Sequence, residues 1–207
     1  MEILKQIETA LTGKENVIFF EIGSNDCKDT KLICDILRRT TKSFKYYCFE
    51  LVTELCKWSE SIMKDYPEVK IFNLAISDKC EKDKLFYFSS NKNYNGSSSI
   101  KEPKQATEIW PELTFTHSQC DTISIDEFCK ANNINYIDFI WADTQGAEDL
   151  MIKGAKSMIS KIGYIYTEYN KNLYDGALDI SEIIKLLPKF EIVEDYGGDA
   201  LLKNKLY

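Results

Sequence analysis

The chain has 207 residues, 44% hydrophobic and 29% charged, enough for one domain with a sizeable core and unlike a disordered or fibrous protein. A formal net charge of −7, with arginine only at Arg38 and Arg39, argues against a general affinity for nucleic acid or anionic membrane. No apolar run approaches membrane-spanning length, which argues against membrane insertion, and Met1-Glu2-Ile3-Leu4-Lys5 lacks a basic-then-apolar leader, so the expected location is cytoplasmic.

Cysteines stand at 27, 34, 48, 56, 80, 120 and 129. An odd number with no Cys-x-x-Cys reads as free thiols, several of them buried, in a reducing compartment. His117 is the only histidine. A multi-histidine metal centre within one chain is therefore excluded, and no metal ligands are assigned.

Ile3, Leu4, Ile7 and Leu11 have the spacing of a short amphipathic helix that Gly13 can end. Val17-Ile18-Phe19-Phe20 then reads as a strand buried on both faces, closing on Glu21. Gly23 permits a sharp turn and close approach to a ligand, and Ser24, Asn25, Asp26 and Asp29 offer capping oxygens. Lys31–Leu37 is helical by its apolar spacing. Phe44–Phe49 is a second strand, ending at Glu50. Thr53 is placed to cap a helix carrying Leu55, Trp58 and Ile62, which Pro67 breaks. Val69–Ile76 is expected as a third strand closing on Ser77-Asp78, which makes βαβαβ with right-handed crossovers and a parallel sheet.

Lys84–Phe88 is an additional edge strand. Ser89–Gln119 is polar, with Asn91, Asn93, Asn95, Gly96, three serines and Trp110-Pro111. Its length suits a lid or substrate wall, with Tyr94, Trp110 and Phe115 to pack, or else plain disorder. Ile125, Phe128 and Cys129 begin a helix, Ile137–Trp141 is a fourth strand, and Ala147–Ser160 reads as a helix. Tyr164–Thr167 is a fifth strand ending at Glu168. Ile180–Leu187 is the last helix, and Gly197-Gly198 joins Phe190–Tyr196 to Ala200–Leu202 as a hairpin.

Four predicted strands thus end in carboxylates: Glu21, Glu50, Asp143 and Glu168. In a parallel sheet these lie along one edge, where ligands of open α/β folds bind. An acid ending the second strand suits the two hydroxyls of an adenosine ribose. Such an acidic rim repels phosphate and favours a cation.

Phe20-Glu21-Ile22-Gly23-Ser24-Asn25-Asp26, Phe49-Glu50 and Asn73-Leu74-Ala75-Ile76-Ser77-Asp78 resemble the FkbM-type S-adenosylmethionine-dependent methyltransferases. The most specific stretch is Ile140-Trp141-Ala142-Asp143-Thr144-Gln145-Gly146-Ala147-Glu148 with Lys153-Gly154-Ala155, similar to the family's strand-four signature. The resemblance spans about residues 17–204. Trp141 stands where much of the family has lysine, and Cys27 replaces a glycine of the first loop.

The resemblance implies an α/β class I methyltransferase fold, Rossmann-like, with a seven-stranded mostly parallel sheet flanked by helices and an antiparallel last strand, in a single domain over 1–207. The implied activity is methyl transfer from S-adenosyl-L-methionine to oxygen, commonly a hydroxyl of a sugar or glycan. By position, Glu21, Gly23, Ser24 and Asn25 would hold the methionine end, with Asp26 also among the cofactor-binding residues. Glu50 would take the ribose, with Leu51 also cofactor-binding, and Ala75, Ile76, Ser77 and Asp78 would border the adenine. Asp143 would lie beside the methyl. The base that removes the acceptor proton is then Asp143, Glu168 or, third, His117 from the lid, unless a divalent cation bridges the carboxylates. A nicotinamide-dependent oxidoreductase on a related sheet is the alternative, against which stands the missing Gly-x-Gly-x-x-Gly; a non-catalytic protein retaining the fold is another. Acceptor identity and oligomeric state stay open.

Overall fold

The computed structural model describes residues 2–90 and 95–207. Helix α1 (Glu2–Leu11) turns Ile3, Ile7 and Leu11 inward and leads to β1 (Val17–Ile22), all six of whose residues are buried. Then follow α2 (Lys28–Thr40), β2 (Phe44–Phe49), α3 (Thr53–Ile62) and β3 (Val69–Phe72). Next come β4 (Ala75–Ile76), β5 (Glu81–Ser89), the one-turn helix α4 (Ala106–Ile109) and β6 (Phe115–Ile123). The remainder is α5 (Ile125–Ala131), β7 (Ile137–Ala142), α6 (Glu148–Lys153), β8 (Ile162–Glu168), α7 (Ile180–Leu186), β9 (Phe190–Asp195) and β10 (Asp199–Asn204).

The main sheet has seven strands in the order β3-β2-β1-β7-β8-β10-β9. The β3-β2-β1-β7-β8 ladder is parallel, and β10 inserts antiparallel between β8 and β9. This is the class I methyltransferase arrangement, with the expected closing hairpin as β9 and β10. Because β1 and β7 are sandwiched, alternate residues serve two cores. Phe20 and Ile22 join Phe128, Met151 and Ile183 on one side, whereas Val17 and Phe19 join Ile7, Ile33 and Leu37 on the other.

Several expected elements differ. Residues 69–76 are not one strand: the Asn73 side chain donates to the Glu50 and Leu51 carbonyls at 2.9 and 3.1 Å, the chain turns, and β4 leaves to pair with β6. The edge strand is instead the outer member of a separate three-stranded sheet, β4-β6-β5. The middle strand of that sheet, β6, takes up the last part of the segment expected as a lid, while Tyr94, Asn91 and Asn93 lie outside the described residues. Helix α6 ends at Lys153, short of Ser160, with Gly154 as its C-cap, where a Cβ would sit 2.1 Å from the Ser77 carbonyl oxygen, and Val52 rather than Thr53 is the N-cap of α3. Among the described residues no helix is long and apolar enough to cross a membrane.

Glu21 illustrates the alternation. It is the penultimate residue of β1, so its side chain falls on the face opposite Ile22 and is buried there, accepting from the hydroxyls of Thr30 at 2.6 Å and Tyr46 at 2.8 Å. It does not reach the ligand-binding edge, contrary to its expected part in holding a methionine group. Burial first, offset in part by those hydroxyls, pushes its carboxyl up to about 8. The folded chain therefore keeps a proton that the unfolded chain releases near pH 4.5. Its stabilising contribution is complete below about 4.5 and is lost as pH rises to about 8, of order 1 kcal/mol per pH unit. Denaturant midpoints measured from pH 5 to 8 should fall less steeply for Glu21→Gln than for the wild type; equal slopes would remove Glu21 as their source.

Candidate active site

From β1 the chain builds the sheet outward through β2 to β3, and from β7 in the other direction, so a crevice opens at the carboxyl ends of β1 and β7. Gly23 makes this crevice possible. Its φ is +87°, and a Cβ there would lie 1.9 Å from the Asp143 carbonyl oxygen. The Gly23 N–H donates to the Phe49 carbonyl and the Asp143 N–H to the Ile22 carbonyl, both at 2.9 Å, which ties three strand ends together.

The crevice holds a cavity of about 250 Å³. Gly23 and Asn25 form one wall, Glu50 and Leu51 a second, and Ala75 and Ile76 a third. Asp143, Thr144, Gln145 and Ala147 close the far end. Over it runs a strap in which Gly96, Ser97, Ser98 and Ile100 face the cavity. A Cβ on Gly96 would come 2.9 Å from the Asn25 amide nitrogen, so the strap rests on the β1 loop.

Glu50 is only 5% exposed and accepts the N–H groups of Asn25 at 2.9 Å and Val52 at 2.8 Å, one on each oxygen. Burial outweighs these bonds and raises its carboxyl to about 7. Beside it the buried oxygens Ser24 Oγ and Asn25 Oδ1 have no hydrogen-bond partner among the described residues. Asn25 also holds a left-handed backbone, φ +44°. Unsatisfied buried polar atoms and strained backbone concentrated in one loop are characteristic of a site that a ligand completes.

At the other end the Gln145 amide nitrogen donates to Asp143 Oδ1 at 2.6 Å and to Glu168 Oε2 at 2.9 Å. Burial, followed by the Asp143 charge, pushes Glu168 up to about 9. Behind them Glu148 is fully enclosed and accepts the Thr144 hydroxyl at 2.7 Å; burial raises it to about 7. Burial and the neighbouring charge thus favour the protonated form of Glu168, and Asp143 is the carboxyl on the cavity wall.

The sequence matches the model of the methyltransferase FkbM domain over residues 16–197. The chain belongs to the FkbM methyltransferase family. A 2-O-methyltransferase, NoeI, of Sinorhizobium fredii is 30% identical over 215 residues, covering 99% of this chain and 86% of that protein. The FkbM methyltransferase structure from Methylobacillus flagellatus superposes with a TM-score of 0.58 at 12% identity, covering 93% of this chain and 44% of that longer one. A SAM-dependent methyltransferase from Aquifex aeolicus gives 0.51 at 11% identity, over 98% of this chain and 87% of the other. These two likenesses concern the fold.

As an FkbM methyltransferase the chain transfers a methyl group from S-adenosylmethionine, which sets aside the nicotinamide alternative. Of the residues singled out from the sequence, the crevice gathers Gly23, Asn25, Glu50, Leu51, Ala75, Ile76 and Asp143 on the cavity, with Ser24 buried beside Asn25 and Glu168 behind Gln145. Asp26 instead pairs with Lys28 at 2.5 Å, and Ser77 donates to Asp78 at 3.2 Å, all outside the cavity lining.

His117 is not on a lid reaching inward. It lies on β6, exposed like its neighbours Thr116, Ser118 and Gln119, with its ring centroid 4.9 Å from that of Tyr87 directly across the ladder. Trp141, in the family's lysine position, packs against Tyr166 with centroids 4.4 Å apart. Cys27 adopts φ +56°, the conformation for which a glycine is suited at that position. Sequence reasoning assigned no part to Gln145, Glu148 or Tyr174. The first two stand within the signature stretch, whereas only the fold brings Tyr174 to them. Among the described residues no group of three or more His, Cys, Asp or Glu is arranged to hold a metal ion.

Proposed function

We propose that this enzyme methylates a hydroxyl oxygen of a sugar or glycan, with Asp143 receiving the hydroxyl proton. The observation that carries this reading is the placement of two carboxyls joined by the Gln145 amide: Asp143 faces the cavity, while Glu168 stands behind Gln145, where burial and the Asp143 charge push it above the ordinary carboxylate range. A protonated hydroxyl is a poor nucleophile, and a positioned base typically contributes about 10²–10⁴-fold.

When bound, S-adenosylmethionine supplies an electrophilic methyl group. The residues present fit it. Each Glu50 oxygen accepts one backbone N–H and has a further lone pair for a ribose hydroxyl. Ser24 Oγ and Asn25 Oδ1, buried and without a partner among the described residues, suit the charged methionine end. Leu51, Ala75 and Ile76 supply an apolar slot for adenine. On the acceptor side, Ser97 and Ser98 bring polar groups to the cavity, and the 2-O locant in the name of NoeI suits a ring bearing several hydroxyls. The net charge of −7 weighs against a nucleic-acid acceptor, and the free cysteines support action in a reducing compartment such as the cytoplasm.

Incubation with S-adenosylmethionine and a panel of mono- and oligosaccharides, read by mass spectrometry, should yield a product one methyl heavier whose label resists base hydrolysis as an ether does. Methyl transfer confined to nitrogen or carbon acceptors in a parallel panel would overturn the reading.

A further inference from the structure

Tyr174 stands 29 residues after Gln145 and 77 after Ser97, yet its phenol oxygen lies 2.8 Å from Gln145 Oε1 and 2.9 Å from the Ser97 carbonyl oxygen. We propose that Tyr174 is a positioning residue for methyl transfer, its phenol fastening the strap over the cofactor cavity to the amide that serves Asp143 and Glu168. The inference rests on the reading of Asp143 as the base.

The hydrogen-bond pattern gives the tie its direction. Both hydrogens of the Gln145 amide are used, one on Asp143 and one on Glu168, so the amide oxygen must face Tyr174. Turned over, that oxygen would stand 2.6 Å from Asp143 Oδ1. A phenol has one proton and here has two acceptors, Gln145 Oε1 and the Ser97 carbonyl, so it divides its donation between the strap and the catalytic amide. Burial, reinforced by Glu168, Asp143 and Glu148, holds the phenol in its protonated form well beyond neutral pH, which keeps it a donor.

Two further features serve the same junction. Ser99 Oγ donates to the Gln145 carbonyl at 2.8 Å, a second tie between strap and amide residue. Gln145 itself holds φ +54°, a conformation that needs support from its surroundings. The Tyr174 ring is accommodated because Gly146 lacks a side chain: a Cβ there would lie 2.6 Å from Tyr174 Cβ. The ring thus packs while the hydroxyl carries the tie, and the two contributions can be separated.

Tyr174→Phe keeps the ring and removes the tie. The variant should fold with a melting temperature near that of the wild type, and bind S-adenosylhomocysteine several-fold more weakly as the strap loosens. Its single-turnover methylation should be about 10–100-fold slower, with kcat falling more than acceptor KM changes, as expected when a reacting group is misplaced. The pH–rate profile should move as well, because Glu168 is faced by Asp143, Glu148, Asp199 and Tyr174, and Asp143 by Glu168, Glu148, Asp199, Tyr174, Asp29 and Tyr166. In a double-mutant cycle, adding Tyr174→Phe to Gln145→Ala should cost no further rate; additive losses would overturn the proposal. Ser99→Ala supplies an independent variant with the same expected direction. Wild-type rate, affinity and pH profile in Tyr174→Phe would also overturn it, and if Asp143→Asn is slow in the same assay, the base assignment stands alone. An unimpaired Asp143→Asn would instead sink the base assignment, and the effect of Tyr174→Phe on S-adenosylhomocysteine affinity would then judge the strap tie.

Discussion

Replacing Asp143 with Asn is expected to lower single-turnover methylation by about 10²–10⁴-fold while leaving S-adenosylhomocysteine affinity nearly unchanged. Asn has the same shape, and its oxygen can still accept the Gln145 amide hydrogen that Asp143 accepts at 2.6 Å. What it loses is basicity. The substitution also removes the charge that, after burial, does most to raise Glu168, so Glu168 should move back toward the ordinary carboxylate range. Rapid-quench measurement of one turnover separates the chemical step from product release, and calorimetry with S-adenosylhomocysteine confirms an intact cofactor site. Methylation by the variant at the wild-type rate would exclude Asp143 as the base.

Gly23→Ala is expected to abolish useful cofactor binding and to destabilise the chain. Two costs add at this position. A φ of +87° is disfavoured for any residue with a Cβ by about 1–2 kcal/mol. The new Cβ would also meet the Asp143 carbonyl at 1.9 Å, a backbone oxygen that cannot swing aside. Relief requires parting the ends of β1 and β7, at about 1–3 kcal/mol for such overpacking, and it distorts both walls of the cavity. The melting temperature should fall by about 5–15 °C, with S-adenosylhomocysteine affinity reduced more than tenfold in protein that remains folded. A variant with wild-type melting and binding would show that the two strand ends do not need this close approach.

Much of the scaffold was legible because it depends on local rules. Val17–Ile22 and Ile137–Ala142 are apolar almost throughout since both strands are covered on two faces, and that run is itself the signal of a central parallel strand. Gly23 was legible for a similar reason: a glycine directly after such a strand marks a sharp turn or a close approach of backbone. Glu21 shows the limit of reading by position. Strand ends were correctly found to carry acids, but the two-residue period puts Glu21 on the face opposite Ile22, where Thr30 and Tyr46 enclose it.

Other features belong to the tertiary structure. Whether residues 69–76 continue as one strand depends on Asn73 reaching back to the end of β2, a contact of 22 or 23 residues that no local pattern encodes. His117 lies in a polar stretch with no strand alternation to read, and only the pairing of β6 with β5 places it beside Tyr87 and away from the crevice. The strap, the Gln145 amide and Tyr174 meet across separations of 29 to 77 residues. By itself, then, the sequence determined the alternation of strands and helices that makes a parallel sheet, and the acids at or near the strand ends, because burial and periodicity follow from patterns within each segment. The carboxyl that keeps its proton, and the side chains that hold it, were decided by tertiary structure, because burial and the distance between charges exist only once separate segments are packed together.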